Sequence, residues 1–105
     1  MRICIIGLGL IGGSMAWQLK SKGHTIVGVA RRQSTLDIAI KEKLIHESYL
    51  NVCEEALLVD VVIIALPLEL IVHAVVLVDK FLTTPTIVVD VGSVKTLIMK
   101  EIKAL

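Results

Sequence analysis

Three glycines near the start of the chain have the spacing of a phosphate-binding turn. Gly7, Gly9 and Gly12 fit the pattern G-x-G-x-x-G between a short apolar run and a helical pattern. In such a turn the first glycine allows the tight bend, the second lets backbone approach a pyrophosphate, and the third lets the helix pack on the strand. The following helix opens at Leu10 and Ile11, where free N–H groups and the positive dipole end attract phosphates. We therefore predict a dinucleotide site; the alternative is a glycine-rich turn that binds no ligand.

The end of the second predicted strand indicates which dinucleotide is bound. NAD-binding domains usually carry Asp or Glu about 20 residues after the glycines, where the acid binds the ribose 2′-hydroxyl. Here that place is taken by Ala30, followed by Arg31 and Arg32. No carboxylate is present at this place to repel a 2′-phosphate, and the two guanidinium groups are suited to binding a 2′-phosphate. Ser34 and Thr35 are further candidate hydroxyl donors. The pattern predicts NADP as the cofactor; two solvated loop arginines are the alternative.

The composition of the chain argues against several other functions. The net charge is +1 with scattered acids and bases, and only three residues are aromatic, so neither a basic patch nor a stacking platform indicates nucleic-acid binding. Cys4 and Cys53 lack metal-ligand spacing and are expected to be reduced, buried residues of a cytoplasmic protein. The most apolar stretch, residues 59–78, is interrupted by charged residues and by Pro67, so we expect no membrane span.

Apolar strand-like runs alternate with helical patterns along the chain. Because the strands are apolar on both faces, we predict an α/β fold, a Rossmann-type doubly wound parallel sheet forming one domain over residues 1–105. Ser34 or Thr35 is the expected N-cap of the second helix, and residues 44–58 read as a short strand or loop followed by a short helix. The other predicted strands span residues 2–6, 25–30, 61–66 and 86–91, and the helices span residues 10–22, 35–43, 68–81 and 94–105.

Three motifs, in order, resemble the prephenate/arogenate dehydrogenase family of tyrosine biosynthesis. They are GLGLIGGSMA at residues 7–16, DVVIIALP at residues 60–67 and DVGSVK at residues 90–95. The sequence ARRQST at residues 30–35 looks most like the NADP-preferring, arogenate-using members found in cyanobacteria. The resemblance implies oxidative decarboxylation of arogenate or prephenate: a hydride passes to the nicotinamide and a ring carboxylate leaves as carbon dioxide.

The resemblance also implies roles for residues that follow the fourth and fifth strands. Leu66 and Pro67 would line the cofactor cleft. Gly92 and Ser93 would lie beside the nicotinamide, with the Ser93 hydroxyl supporting catalysis by orienting the family's catalytic histidine.

That histidine is where the sequence departs from the family. The family carries it in a His-Pro motif shortly after DVGSVK, and the chain reaches Leu105 before such a motif. His24, His46 and His73 match no such motif, so we expect structural or solvated roles for them. The family's helical dimerisation domain is likewise not represented. The chain is thus expected to be the cofactor-binding part, not catalytically complete alone, with a tendency to form homo-oligomers through exposed apolar helices.

Two other functions remain open. One is another NADP-dependent reductase domain, such as that of a β-hydroxyacid dehydrogenase or a pyrroline-carboxylate reductase; the DVGSVK motif argues against it. The other is a nucleotide-sensing Rossmann module without chemistry, and the missing acid after the second strand argues against that.

Overall fold

The computed structural model describes residues 1–91 and, for the backbone, residues 97–102. Strands and helices alternate through residues 1–91, as the sequence predicted, because apolar β-branched runs alternate with longer helical patterns. In chain order the elements are β1 (Arg2–Ile6), α1 (Leu10–Ser21), β2 (Thr25–Val29), α2 (Gln33–Lys41), β3 (Glu47–Tyr49), a 3₁₀ turn (Glu55–Leu57), β4 (Val61–Ile64), α3 (Leu68–Phe81), β5 (Thr86–Val91) and β6 (Leu97–Ile102).

The strands form one sheet in the order β3-β2-β1-β4-β5-β6. The strands β1 to β5 are parallel to one another, which confirms the predicted α/β Rossmann-type fold. The chain proceeds outward from β1 to β3 in one direction and then from β4 to β5 in the other. The carboxyl ends of β1 and β4 therefore flank the topological switch point, which is where ligands bind in open sheets of this kind.

The core consists of two apolar layers, one on each face of the sheet. On one face, strand residues such as Cys4 and Val62 pack against α3 and the 3₁₀ turn. On the other face, residues such as Ile5 and Ile26 pack against α1 and α2. Burial on both faces explains the high mean hydropathy of +0.84. The most apolar helix, α3, has 14 residues, and no helix in the described part of the chain is long and apolar enough to cross a membrane.

The predicted helix over residues 94–105 is wrong where the structure describes it. Residues 97–102 form β6, which pairs antiparallel with β5, from Val91 opposite Leu97 to Thr86 opposite Ile102. The outer edge of β5 offers unpaired N–H and C=O groups, and pairing with them is a long-range interaction that local helical spacing does not reveal. The remainder of that prediction, residues 94–96 and 103–105, lies outside the described residues.

The predicted N-cap of α2 is also wrong. The helix begins at Gln33 with Arg32 in the cap position, and no side chain caps it. The carbonyl oxygen of Arg32 already accepts the N–H of Leu36 at 3.3 Å, so the helix starts before Ser34 and Thr35, which lie in its first turn.

Candidate cofactor-binding site

The turn between β1 and α1 leaves no room for side chains at two of its glycines. Gly7 has φ +98°, in the region that favours glycine, and its N–H donates to the carbonyl oxygen of Val29 at 2.8 Å. A β carbon at Gly7 would overlap the carbonyl oxygen of Ala65, the residue that follows β4, and one at Gly12 would overlap the carbonyl oxygen of Gly7. The fold itself therefore requires glycine at positions 7 and 12.

Gly9 differs, because a β carbon placed there would meet no protein atom within 4 Å. Packing does not require glycine at this position, and the space in front of its backbone is open to a ligand. Gly9 is also the N-cap of α1, and its carbonyl oxygen accepts the N–H of Gly13 at 2.8 Å. The N–H groups of Leu10, Ile11 and Gly12 precede that first helical bond, so the helix ladder does not use them. Open space in front of free N–H groups at a helix N-terminus fits a phosphate.

A cleft of about 570 Å³ opens beside this turn, at the carboxyl ends of β1, β2 and β4. One wall is the glycine turn with the end of β2. The rest of the lining consists of residues 50–52, which follow β3, residues 66–67, which follow β4, and one side of α3. The predicted cofactor residues that line this cleft are Gly7, Gly9, Ala30, Arg31, Arg32, Thr35, Leu66 and Pro67.

A comparison with known protein families assigns the chain to one of them. Residues 2–105 match the family described as the NAD binding domain of 6-phosphogluconate dehydrogenase. The chain belongs to this family of NAD-binding domains. A search of curated proteins finds no match.

Solved structures confirm the resemblance to arogenate and prephenate dehydrogenases. Synechocystis arogenate dehydrogenase superposes on 91% of the NAD-binding domain with a TM-score of 0.84 and 35% sequence identity. Prephenate dehydrogenase from A. aeolicus, crystallised with hydroxyphenyl propionate and NAD⁺, covers 90% with a TM-score of 0.81 and 25% identity. The domain spans 34% of the length of each of these enzymes. At 23% identity and a TM-score of 0.76, 3-hydroxyisobutyrate dehydrogenase of Mycobacterium tuberculosis shares the fold, over 88% of the domain and 31% of its own chain.

Other predicted cofactor residues of the NAD-binding domain do not line the cleft. Leu10 and Ile11 are exposed at the start of α1, and Gly12 is buried beneath the turn. Ser34 is exposed in the first turn of α2 without facing the cleft. The predicted nicotinamide contacts, Gly92 and Ser93, lie outside the described residues.

The motif that contains Gly92 and Ser93 starts at Asp90, which is described. Asp90 lies in β5 opposite Ile64 of β4, and its side chain is 7% exposed. Its Oδ1 atom accepts no hydrogen bond from any described residue.

At the end of β2, the residues predicted to bind a 2′-phosphate are held beside the cleft. The N–H of Ala30 donates to the carbonyl oxygen of Tyr49 at 3.2 Å, which fixes the strand end against β3. Arg31 and Arg32 are exposed, and neither forms an ion pair within residues 1–91. Both guanidinium groups are therefore available to an anion in this part of the structure.

Sequence reasoning missed several residues that line the cleft. Four of them lie on one side of α3 at helical spacing, and this spacing can be seen in the sequence. The missed residues are Ile6, Leu8, Val29, Leu50, Asn51, Val52, Leu70, His73, Ala74 and Leu77.

The three histidines have different surroundings. His46 has the predicted structural role, since its Nδ1 accepts the N–H of Ile26 at 3.0 Å. The Nδ1 of His24 lies 3.2 Å from the amino group of Met1. His73 is exposed, as a solvated residue would be, but it lines the cleft, which the sequence did not predict.

The two cysteines are free thiols in different environments. Cys4 is buried and Cys53 is only partly buried, contrary to the expectation that both are buried. Burial, with a smaller contribution from Cys53, raises the pKa of the Cys4 thiol from 9.0 to about 12. Within the described residues, no three His, Cys, Asp or Glu side chains are grouped to hold a metal ion.

Proposed function

We propose that this chain is the NADP-binding domain of a prephenate/arogenate dehydrogenase, which oxidatively decarboxylates arogenate or prephenate in tyrosine biosynthesis. The observation that carries the proposal is the pairing, in one cleft, of the open glycine turn with Arg31 and Arg32 at an acid-free end of β2. The structural similarity to Synechocystis arogenate dehydrogenase supports the choice of family.

Each part of the cleft has a proposed task. The backbone at Gly7 and Gly9 and the N-terminus of α1 would hold the pyrophosphate. Arg31 and Arg32 would bind the 2′-phosphate as charged, fork-shaped donors, with Thr35 adding a hydroxyl.

The proposed nicotinamide end lies on the other side of the glycine turn. Leu66 and Pro67, which follow β4, would line the approach to the nicotinamide. The chemistry supplied by bound NADP is acceptance of the hydride that the substrate ring loses. Gly92 and Ser93 stay proposed contacts beside that ring, with Ser93 orienting a histidine contributed from elsewhere in the enzyme.

The proposal is tested by titrating the purified chain with NADPH and with NADH and comparing the two dissociation constants. We expect NADPH to bind at least about tenfold more tightly, because a charge-assisted hydrogen bond contributes roughly 1.5–3 kcal/mol. Equal affinities would overturn the assignment of the arginines to a 2′-phosphate. No binding of either nucleotide would overturn the cofactor assignment as a whole.

A second candidate is the cofactor domain of an NADP-dependent β-hydroxyacid dehydrogenase. The match of residues 2–105 to the NAD binding domain of 6-phosphogluconate dehydrogenase favours it. An activity assay distinguishes the two candidates. The full-length protein is supplied with NADP and with arogenate, prephenate or a β-hydroxyacid in turn, and NADPH formation is followed. Turnover of a β-hydroxyacid alone would overturn the first proposal; turnover with none would favour a nucleotide-sensing module.

Two further features belong to the proposal. We place the protein in the cytoplasm, because Cys4 and Cys53 are free thiols, as is usual in a reducing compartment. We also propose self-association, because Leu68, Val72 and Val76 form an exposed apolar stripe on α3.

A further inference from the structure

The helix α3 has three sides: one packs on the sheet, one is exposed to solvent, and the third faces the cleft. Leu70, His73, Ala74 and Leu77 recur at helical spacing and line the cleft together. The core side instead carries residues such as Ile71 and Val78, which are buried against the sheet, and Ala74 lies where the two sides meet. The side of α3 that faces the cleft is therefore mainly apolar and carries one polar group, the imidazole of His73.

The segment that follows β3 lines the same cleft. Leu50 and Asn51 are exposed and Val52 is partly buried, and all three belong to the cleft lining. Taken with α3, this part of the cleft combines aliphatic side chains with two groups, Asn51 and His73, that can both donate and accept hydrogen bonds. A flat heterocycle with apolar faces and a polar edge matches that combination.

The position of this region follows from the strand order β3-β2-β1-β4. If the pyrophosphate lies at the glycine turn after β1, and the ribose 2′-phosphate lies at Arg31 and Arg32 after β2, the base on that ribose lies on the same side, toward the end of β3. Residues 50–52 follow β3 and occupy that position. The helix α3 covers the face of the sheet on which Val52 also packs, so its cleft side is on the same face as residues 50–52. The nicotinamide half must extend the other way, toward the end of β5.

We infer that His73 and Asn51 recognise the polar edge of the adenine base of NADPH. This inference rests on the proposed function and adds residues that read the base. Adenine presents the N7 acceptor and the N6 amino donor along one edge, and an asparagine amide pairs with both. His73 offers one donor and one acceptor in its neutral form, which suits the remaining ring nitrogens or the amino group. The aliphatic residues around them cover the faces of the base.

The test compares NADPH with its hypoxanthine analogue, in which an oxygen replaces the N6 amino group. The proteins are the full chain and its His73→Ala and Asn51→Ala variants. We expect the original chain to prefer NADPH, each variant to bind NADPH roughly 3- to 10-fold more weakly, and the preference over the analogue to shrink in both variants. Asp79→Ala is the matched control: the residue lies on the same helix, is exposed, does not line the cleft and is outside the apolar stripe of α3, so the affinities should not change.

Three results would overturn the inference. The first is unchanged affinity for NADPH in both variants, and the second is an original chain that binds NADPH and the analogue equally well. The third is an equal loss for NADPH and for the analogue, which would mean that the two residues shape the cleft without reading the base edge. Thermal melting of each variant establishes that a loss of binding is not a loss of folding.

Failure of the inference is distinguishable from failure of the proposed function. If the original chain binds no NADPH, the proposed function fails and the inference fails with it. If the original chain binds NADPH and Arg31→Asp weakens it while His73→Ala and Asn51→Ala do not, only the assignment of the base contacts fails.

Discussion

The α carbon of Gly12 faces the carbonyl oxygen of Gly7 so closely that a β carbon at position 12 would overlap that oxygen. The overlapped atom belongs to the backbone of the turn and cannot rotate away as a side chain would. The start of α1 is therefore locked against the turn that precedes it, and the position of the proposed phosphate site depends on this contact.

We predict that Gly12→Ala strongly destabilises the domain, by about 1–3 kcal/mol or more, because the helix must shift to make room for the methyl group. Gly13→Ala is the control. Its β carbon would lie 3.9 Å from the nearest atom, the carbonyl oxygen of Leu8, so the higher helix propensity of alanine should stabilise by up to about 1 kcal/mol. Urea denaturation measures both; equal effects of the two substitutions would contradict the close packing.

Gly9→Ala should separate ligand binding from folding. The added methyl group meets no protein atom within 4 Å, so only the weaker capping of α1 by alanine should lower stability, by no more than about 1 kcal/mol. The same methyl group would occupy the space where backbone approaches the pyrophosphate, and we expect NADPH affinity to fall at least about tenfold. Titration of Gly9→Ala and of Gly13→Ala checks this. Normal NADPH binding by Gly9→Ala would show that the pyrophosphate does not bind at this position.

Arg31→Asp should weaken NADPH far more than NADH. The substitution removes a guanidinium group and places a carboxylate at the end of β2, where it would repel a 2′-phosphate. We expect the NADPH dissociation constant to rise by about 10- to 100-fold, with little change for NADH. Lys41→Asp, at the exposed end of α2, makes the same charge change away from the cleft and should leave both nucleotides unaffected. Equal weakening of NADPH and NADH by Arg31→Asp would mean that Arg31 does not touch the phosphate.

The sequence predicted the parallel part of the fold because its signals are local. The strand over residues 2–6 follows from a short β-branched run ending in glycine, and β5 begins and ends where predicted. Leu97, Ile98 and Ile102 also fit helical spacing, and for that reason the sequence alone predicts a helix over these residues. Their pairing with β5 depends on an open sheet edge, which is a property of the assembled sheet.

The candidate site could be predicted in part for the same reason. The glycine turn and the acid-free end of β2 are sequence patterns, and both line the cleft. His73 and Asn51 carry no such pattern. Which side of α3 faces the cleft is decided by how that helix packs on the sheet, and residues 50–52 reach the same cleft only because the fold brings the ends of β3 and β4 to one edge of the sheet.

Cys4 should make the stability of the domain fall with rising pH. Burial raises the pKa of its thiol from 9.0 to about 12, so the folded state keeps the proton that the unfolded chain loses more readily. This contribution to the free energy of unfolding is complete below pH 9 and is lost as pH rises through about 12, by at most about 1.4 kcal/mol per pH unit. The raised pKa of Tyr49, caused by partial burial and then by Glu47, acts in the same direction.

Cys4→Ala measures how much of this pH dependence of stability comes from the Cys4 thiol. The substitution lowers stability at every pH by leaving a small cavity, so the comparison is between the slopes of the free energy of unfolding above pH 9. We expect a shallower slope for Cys4→Ala than for the original chain, while Cys53→Ala, at the partly buried cysteine, keeps most of it. Urea denaturation at a series of pH values measures these slopes. If Cys4→Ala retains the full slope, the thiol of Cys4 ionises in the folded state as readily as in the unfolded chain, and its burial in β1 is not as tight as the structure indicates.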